Sequence, residues 1–238
     1  MTRFHIDKRS DGKWLTSEEQ SQIIAIIAIS FRGVDAAAYF AKYFIAKEHY
    51  RCCVRLFYQD SALVGYCLLT FSKGDANSIM MGASAAFLPV YRGSNNTFAF
   101  SMKWAVKTWL LNLHKNVYYL DTMLSPAMYR AMGKRVAYIY PNPAMTETEI
   151  AQYQALVPEA EPSPWFGLHC LKTVGRSTNY TEQDIKRLTS SSKTEIAFYC
   201  KVNPDFASGV ALMVLIPINL KQLLITLWKA ITSIRRHG

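Results

Sequence analysis

The sequence predicts an α/β (α+β) fold with a mixed, mostly antiparallel central sheet and helices on both faces. Three observations predict it. Residues 53–88 hold three strand-like apolar runs separated by short polar turns, and residues 96–113 keep a helical repeat throughout. Residues 117–140 then return to short strand and helix patterns in alternation, as a mixed sheet requires. With 238 residues, half of them hydrophobic, the chain is long enough for one substantial core or two small ones.

The elements follow in order. Thr16-Ser17-Glu18-Glu19-Gln20 starts a helix, with Thr16 or Ser17 as its cap, and Ile23, Ile24, Ile26, Ile27 and Ile29 make it apolar. Gly33 interrupts; a second helix runs from about 35 to 48, with Phe40, Phe44 and Ile45 on one face. Strands 53–59 and 63–71 flank Asp60-Ser61 and read as a hairpin, with Gly65 marking a bulge or the close approach of another backbone. A third strand, 79–88, ends at Pro89, which cannot donate to a ladder. In helix 96–113, Phe98, Met102, Ala105, Val106, Trp109, Leu110 and Leu113 make one stripe and Phe100, Trp104 and Leu111 a second, so cover on more than one side is expected. A strand at 117–120, a helix at 125–132 and a strand at 136–140 follow. After a proline-rich stretch, 141–164, a helix is expected at 147–156, strands at 195–202 and 210–216, and a closing amphipathic helix.

Net charge is +10, which favours anionic partners. Between residues 92 and 135 the basic residues are Arg92, Lys103, Lys107, Lys115, Arg130, Lys134 and Arg135, and Asp121 is the only acid. Cys52, Cys53, Cys67, Cys170 and Cys200 form no CxxC or zinc spacing, so buried thiols and no metal are expected. Met-Thr-Arg-Phe-His-Ile-Asp-Lys-Arg lacks an apolar h-region, which makes the cytoplasm the expected compartment.

Residues 87–100 read Phe-Leu-Pro-Val-Tyr-Arg-Gly-Ser-Asn-Asn-Thr-Phe-Ala-Phe. Pro89, Tyr91, Arg92 and Gly93 after the third strand, and Met128-Tyr129-Arg130-Ala131-Met132-Gly133 further on, resemble the GNAT superfamily of acyl-CoA N-acyltransferases, of which the chain would be a divergent member. The hairpin at Asp60-Ser61 with Gly65 is a weaker third match, and the resemblance covers about residues 16–140. It implies a GNAT-type sheet with the third strand splayed from its neighbour. It also implies an acyl-thioester-binding core over 1–140, with 141–238 completing the same domain.

The resemblance further implies that the turn after the third strand holds the pyrophosphate of acyl-CoA through Arg92, Gly93, Ser94, Asn95, Asn96 and Thr97. Main-chain amides near Phe87 and Leu88 would hold the thioester carbonyl, and Tyr129 would give its proton to the departing thiolate. The sequence departs from the family where Asn95 and Thr97 stand at positions usually small. Asparagine accepts left-handed backbone, whereas branched Thr97 occupies space that phosphate would approach. Free amides at the helix start attract anions in either case. The alternatives are an ordinary strand-to-helix turn and a packed tyrosine.

Strand 79–88 contains no acid, and Ser84 is its only polar side chain. Glu48, His49 and Asp121 are distant candidates for a base, each expected as a surface or capping residue. Gly82-Ala83-Ser84-Ala85-Ala86 leaves room for an acyl chain longer than acetyl, unless Trp and Phe of helix 96–113 fill that space.

The expected function is N-acyl transfer from a thioester, on CoA or an acidic acyl-carrier protein, to an amine that the sequence does not identify. The rivals are an inactive acyl-CoA-binding module and a membrane-associated lipid-modifying protein. Residues 218–238 carry Lys221, Lys229, Arg235 and Arg236 beside the apolar face Leu220, Leu223, Leu224, Leu227, Trp228, Ile231 and Ile234. Such a helix covers a sheet, forms a homodimer contact, or makes a peripheral contact with an anionic membrane. A nucleic-acid partner is not favoured, since no basic and aromatic repeat accompanies the charge.

Overall fold

The computed structural model describes residues 2–45, 47–75, 77–91, 96–178 and 180–235. It divides into two compact units at 117/118.

The first unit is a sheet clasped between helices. Its strands are β1 (Arg3–Arg9), β2 (Arg51–Gln59), β3 (Ala62–Lys73) and β4 (Ser78–Phe87), antiparallel and in that order. β1 was not anticipated, because its residues are mostly polar and exposed. It is an edge strand, and the stacking of Phe4 on Tyr58 at 5.0 Å ties its alternation to β2. A two-residue turn joins β2 to β3. Asp60 and Ser61 have φ of 47° and 73°, the left-handed pair that matches strand twist.

Helix α1 (Ser17–Ser30) starts on the expected cap: the Thr16 hydroxyl accepts from Glu19 N–H, and the Glu19 carboxylate accepts from Thr16 N–H. The second helix is shorter than expected. Only Ala36–Phe40 is α-helical (α2), capped by Asp35, and it widens into a π-helical turn at Ala41–Ile45. Ile23, Ile26 and Ile27 of α1, with Phe40 and Phe44, bury one face of the sheet through Val54, Leu56, Tyr66 and Leu68.

From β4 a 3-10 turn at Pro89–Tyr91 leads towards α3 (Asn96–Leu110), which stops short of residue 113. α3 covers the opposite face: Phe100 lies 4.7 Å beneath the Arg55 guanidinium, and Trp104 meets the Phe71 ring edge-on at 6.1 Å. β5 (Asn116–Met123) begins where Asn116 N–H donates to Asn77 O at 2.8 Å, beside the start of β4.

Gly65 fulfils both sequence readings with one change. The β2–β3 register slips at Phe57/Tyr58, which is the bulge, but the group that closes on Gly65 is the Phe87 ring and not a backbone.

The second unit carries β5, β8 (Val210–Ile218), β7 (His169–Thr173) and β6 (Glu161–Pro162) in that order, with β6, β7 and β8 antiparallel. Its helices are α4 (Pro126–Arg135), α5 (Glu147–Leu156), α6 (Glu182–Thr189), α7 (Thr194–Val202) and α8 (Leu220–Arg235). Two expectations are corrected. Residues 194–202 are a helix that buries Ile196, Phe198, Tyr199 and Val202, a spacing that a short apolar run disguises as a strand. Residues 136–140 form no strand; Tyr140 exchanges both backbone hydrogen bonds with Leu215, and 136–138 bond to side chains of α8.

Three fully buried tyrosines pin this unit. Tyr129 donates to Pro141 O at 2.7 Å and Tyr153 to Met213 O at 2.6 Å, while Tyr199 donates to Met123 O at 2.5 Å. Each ring fills core and each hydroxyl satisfies a carbonyl that would otherwise be stranded away from water.

Gly65→Ala would place a Cβ 2.1 Å from the Phe87 ring. Urea unfolding should show a loss of about 1–3 kcal/mol, partly restored by Phe87→Leu in the same chain.

Candidate functional site

β4 is the element around which a site can be built. Its side chains alternate between faces, and the two faces differ in kind. Ser84 and Ala86 point towards α1 and α2, where both are buried. The Ser84 hydroxyl lies 2.9 Å from the Tyr39 hydroxyl and 3.2 Å from that of Tyr66. The Ser84 side chain is therefore held between two tyrosine hydroxyls.

The other face is open. Ala85 is exposed and Ala83 is half-buried, although β3 alongside is buried without interruption from 63 to 71. Phe100 and Trp104 of α3 sit over Arg55 and Phe71, on the β2 and β3 side. Small side chains at 83 and 85 leave this face of β4 thinly covered. From β4 the chain passes through the 3-10 turn towards the first residues of α3, where helix amides lack intrahelical acceptors.

The backbone of β4 is partly committed. Leu88 N–H donates to Val64 O at 3.0 Å, so this expected donor to a thioester is already used. Antiparallel alternation gives the Ala86 and Ser84 amides to β3 as well, and turns those of Ala85 and Phe87 to the other edge. The Phe87 ring lies against Phe57 with centroids 5.1 Å apart. Beside it a cleft of about 210 Å³ opens, lined by Arg3, His5, Phe57, Val64, Phe87 and Tyr91 among others. Arg3 stands over the Tyr91 ring at 5.7 Å and bonds Gln59 at 3.0 Å, giving the cleft a basic rim.

The expected phosphate turn is described only at its flanks. Arg92, Gly93, Ser94 and Asn95 lie outside the described residues, as does the side chain of Asn96. Thr97 is half-buried in the first turn of α3.

Tyr129, the expected acid, belongs to the second unit and is 2% exposed. Burial pushes its phenol far above the ordinary value, with the Glu195 charge adding to the effect. Giving its proton to a thiolate would require breaking its bond to Pro141 O. In this geometry Tyr129 is one of the three pinning tyrosines.

Of the distant base candidates Glu48 is exposed, as expected of a surface residue, whereas His49 and Asp121 are half-buried. Burial lowers the affinity of the His49 imidazole for a proton, against the pull of Glu48, and His49 Nδ1 has no partner among the described residues. Asp121 is half-buried on β5 and accepts from the Tyr119 hydroxyl at 3.0 Å. Burial raises its pKa, against the Tyr119 bond and the Arg176 charge. A carboxyl raised by burial is a functional candidate in its own right, and the signal in the sequence is its isolation as the lone acid in a basic stretch. Burial likewise holds Cys52, Cys53, Cys170 and Cys200 as thiols, with Cys53 and Cys170 pushed up to about 12. Among the described residues no group of three or more His, Cys, Asp or Glu stands together as metal ligands, and no helix is long and apolar enough to cross a membrane.

Tyr129→Phe leaves the Pro141 carbonyl unpaired and should lower the unfolding free energy by about 1–3 kcal/mol in a denaturant titration. Asp121→Asn tests the raised carboxyl through pH. Above the unfolded value near 3.9 the native state keeps the proton longer, so wild-type stability falls as pH rises through the native value. The Asn variant should lack that fall, and melting curves of the two chains should diverge from low pH to neutral.

Several solved structures are similar to part of this chain. One is an acyl-CoA N-acyltransferase from Pseudomonas aeruginosa, matched over 56% of this chain and 86% of that one, at 13% identity and a TM-score of 0.39. Another is Arabidopsis thaliana Naa50 in complex with a bisubstrate analogue, matched over 60% and 93%, at 13% identity and a TM-score of 0.38. A third is FeeM, an N-acyl amino acid synthase from uncultured soil microbes, matched over 57% and 80%, at 10% identity and a TM-score of 0.38. No family model and no curated protein matches the sequence. At these identities and scores the likeness assigns no role to any residue, and the reading of the site rests on the geometry of β4 and α3.

Proposed function

We propose that the chain transfers an acyl group from a thioester, carried by CoA or by an acyl-carrier protein, to an amine. The observation that carries this reading is the open face of β4 running towards the N-terminal end of α3. A thioester arm is narrow and extended, and it suits a strand face that carries only methyl groups at Ala83 and Ala85. The diphosphate of CoA would meet the helix end, where amides and dipole favour anions. The element order β2-β3-β4-α3-β5-α4 is the one that the sequence motifs imply for a GNAT-type fold.

The chemistry needs little from side chains. The amine nitrogen attacks the thioester carbonyl carbon, the C–N bond forms as the C–S bond breaks, and the thiolate leaves. The nitrogen loses a proton and the sulfur gains one. In this reading the carbonyl oxygen, as it becomes negative, takes its donor from the Ala85 N–H, which turns away from β3. Ser84 is tied to two tyrosines and supplies no base, so the amine arrives uncharged or gives its proton to water. Positioning then supplies most of the rate enhancement.

The small side chains and the exposure of Ala85 favour a medium or long acyl chain over acetyl. Phe100 and Trp104 pack over Arg55 and Phe71, whereas a ring over Ala85 would be the simplest way to limit the site to two carbons.

A thermal-shift series with free CoA, acetyl-CoA and longer acyl-CoA species tests the reading, and stabilisation should grow with chain length. Ala85→Trp covers this face from an exposed position and should weaken acyl-CoA binding tenfold or more while leaving the melting temperature of the free protein nearly unchanged. No stabilisation by any acyl-CoA, or equal binding by Ala85→Trp, would overturn the assignment. Binding without turnover on any amine would leave an acyl-CoA-binding module.

A further inference from the structure

Helix α8 is built inside out. An amphipathic helix that covers a sheet buries its apolar stripe. Here the buried side chains are polar: Gln222 is 2% exposed and Thr226 6%. The Gln222 amide accepts from Tyr138 N–H at 2.8 Å and donates to Tyr138 O at 3.0 Å. Thr226 accepts from Ala137 N–H at 3.1 Å, and the Lys229 ammonium donates to Val136 O at 2.8 Å. Side chains of α8 thus do for segment 136–138 what a neighbouring strand would do.

The consequence is on the outside. Leu220, Leu224, Leu227, Trp228 and Ile231, spaced to share one face of the helix, are all exposed, Trp228 by 67%. This stripe is too large and too regular for scattered surface residues. Its fixed orientation follows from the polar bonds beneath it, because turning the helix over would strand the backbone of 136–138.

We propose that this stripe lies in the interface of an anionic lipid bilayer. Charge chooses among the possible occupants. No acidic residue stands on α8 or between it and Asp205, and of its lysines Lys229 is taken up by Val136 O while Lys221 remains outside. Lys221 is exposed on the flank of the stripe, and Lys134 is exposed at the end of α4, just before the segment on which α8 sits. A second copy of the chain would bring an equally basic helix against this one and gain no charge complement. An anionic headgroup layer satisfies both features at once: apolar side chains enter the acyl boundary while flanking ammonium groups stay among the phosphates. Leucines and a tryptophan are the residue types such an interface favours. The helix, about 24 Å long at 1.5 Å per residue, would lie along the surface.

The test uses the full chain and sedimentation with large unilamellar vesicles. Phosphatidylglycerol mixed equally with phosphatidylcholine should carry the protein down, and pure phosphatidylcholine should carry at least about tenfold less. Raising salt to about 0.5 M should release most of the bound protein. Leu224→Gln with Leu227→Gln, both exposed positions, should abolish binding with an unchanged circular dichroism spectrum and melting temperature. No binding to anionic vesicles overturns the proposal, as does equal binding by the double variant or by neutral vesicles. A wild-type dimer that the double variant breaks, with no vesicle binding, overturns it in favour of a self-association face.

Discussion

The two-sidedness of β4 is the constraint on which the account rests. Pairing with β3 fixes which residues face which way, and a shift by one residue would exchange the faces completely. In the register observed, Gly65 stands opposite Phe87 and Leu68 opposite Ser84. That places the Ser84 hydroxyl among tyrosines beneath α1 and α2, and the exposed Ala85 on the face that α3 covers elsewhere. The close approach at Gly65 holds the register at the end that leads to α3. The thin cover over that face is therefore a product of strand pairing and residue size, and it needs no catalytic side chain to explain it.

The two units solve the problem of buried polar groups differently. The first gathers them: Tyr39, Tyr66 and Ser84 satisfy one another, and Asp7 holds Arg55 through two bonds of 2.6 and 2.8 Å beneath the aromatic cover of Phe100. The second spends side chains on stray backbone. Tyr129, Tyr153 and Tyr199 each reach a carbonyl, and Gln222, Thr226 and Lys229 serve a segment without a strand partner. The apolar exterior of α8 follows from that second solution, since the inner face is taken by polar work.

Much of the first unit was legible in the sequence because its signals are local. The capping box at Thr16, the Asp60-Ser61 hairpin, the glycine at a bulge and the proline closing β4 each act through neighbouring atoms. β1 was missed because an edge strand needs no continuous apolar run, and Phe4 and Ile6 alone are a weak alternation. In the second unit the errors have one cause. The apolar runs at 136–140 and 194–202 are too short for periodicity to separate strand from helix, and tertiary partners decided them. The outward stripe of α8 was visible as a stripe but not as outward, because its orientation depends on bonds between Gln222 and Tyr138, 84 residues apart. The site was legible in part: the small residues of β4 were readable, whereas the commitment of Leu88 N–H to Val64 and the burial of Tyr129 are facts of three dimensions.

The central claim is that the open face of β4 and the first turn of α3 receive an acyl thioester of CoA. Hydrogen–deuterium exchange with and without a thioether analogue of a long-chain acyl-CoA, which cannot transfer its chain, reads this directly. The account predicts slowed exchange across residues 82–88 and 96–100 when the analogue is bound. Unchanged exchange in both segments at saturating analogue, or protection confined to other parts of the chain, would contradict it.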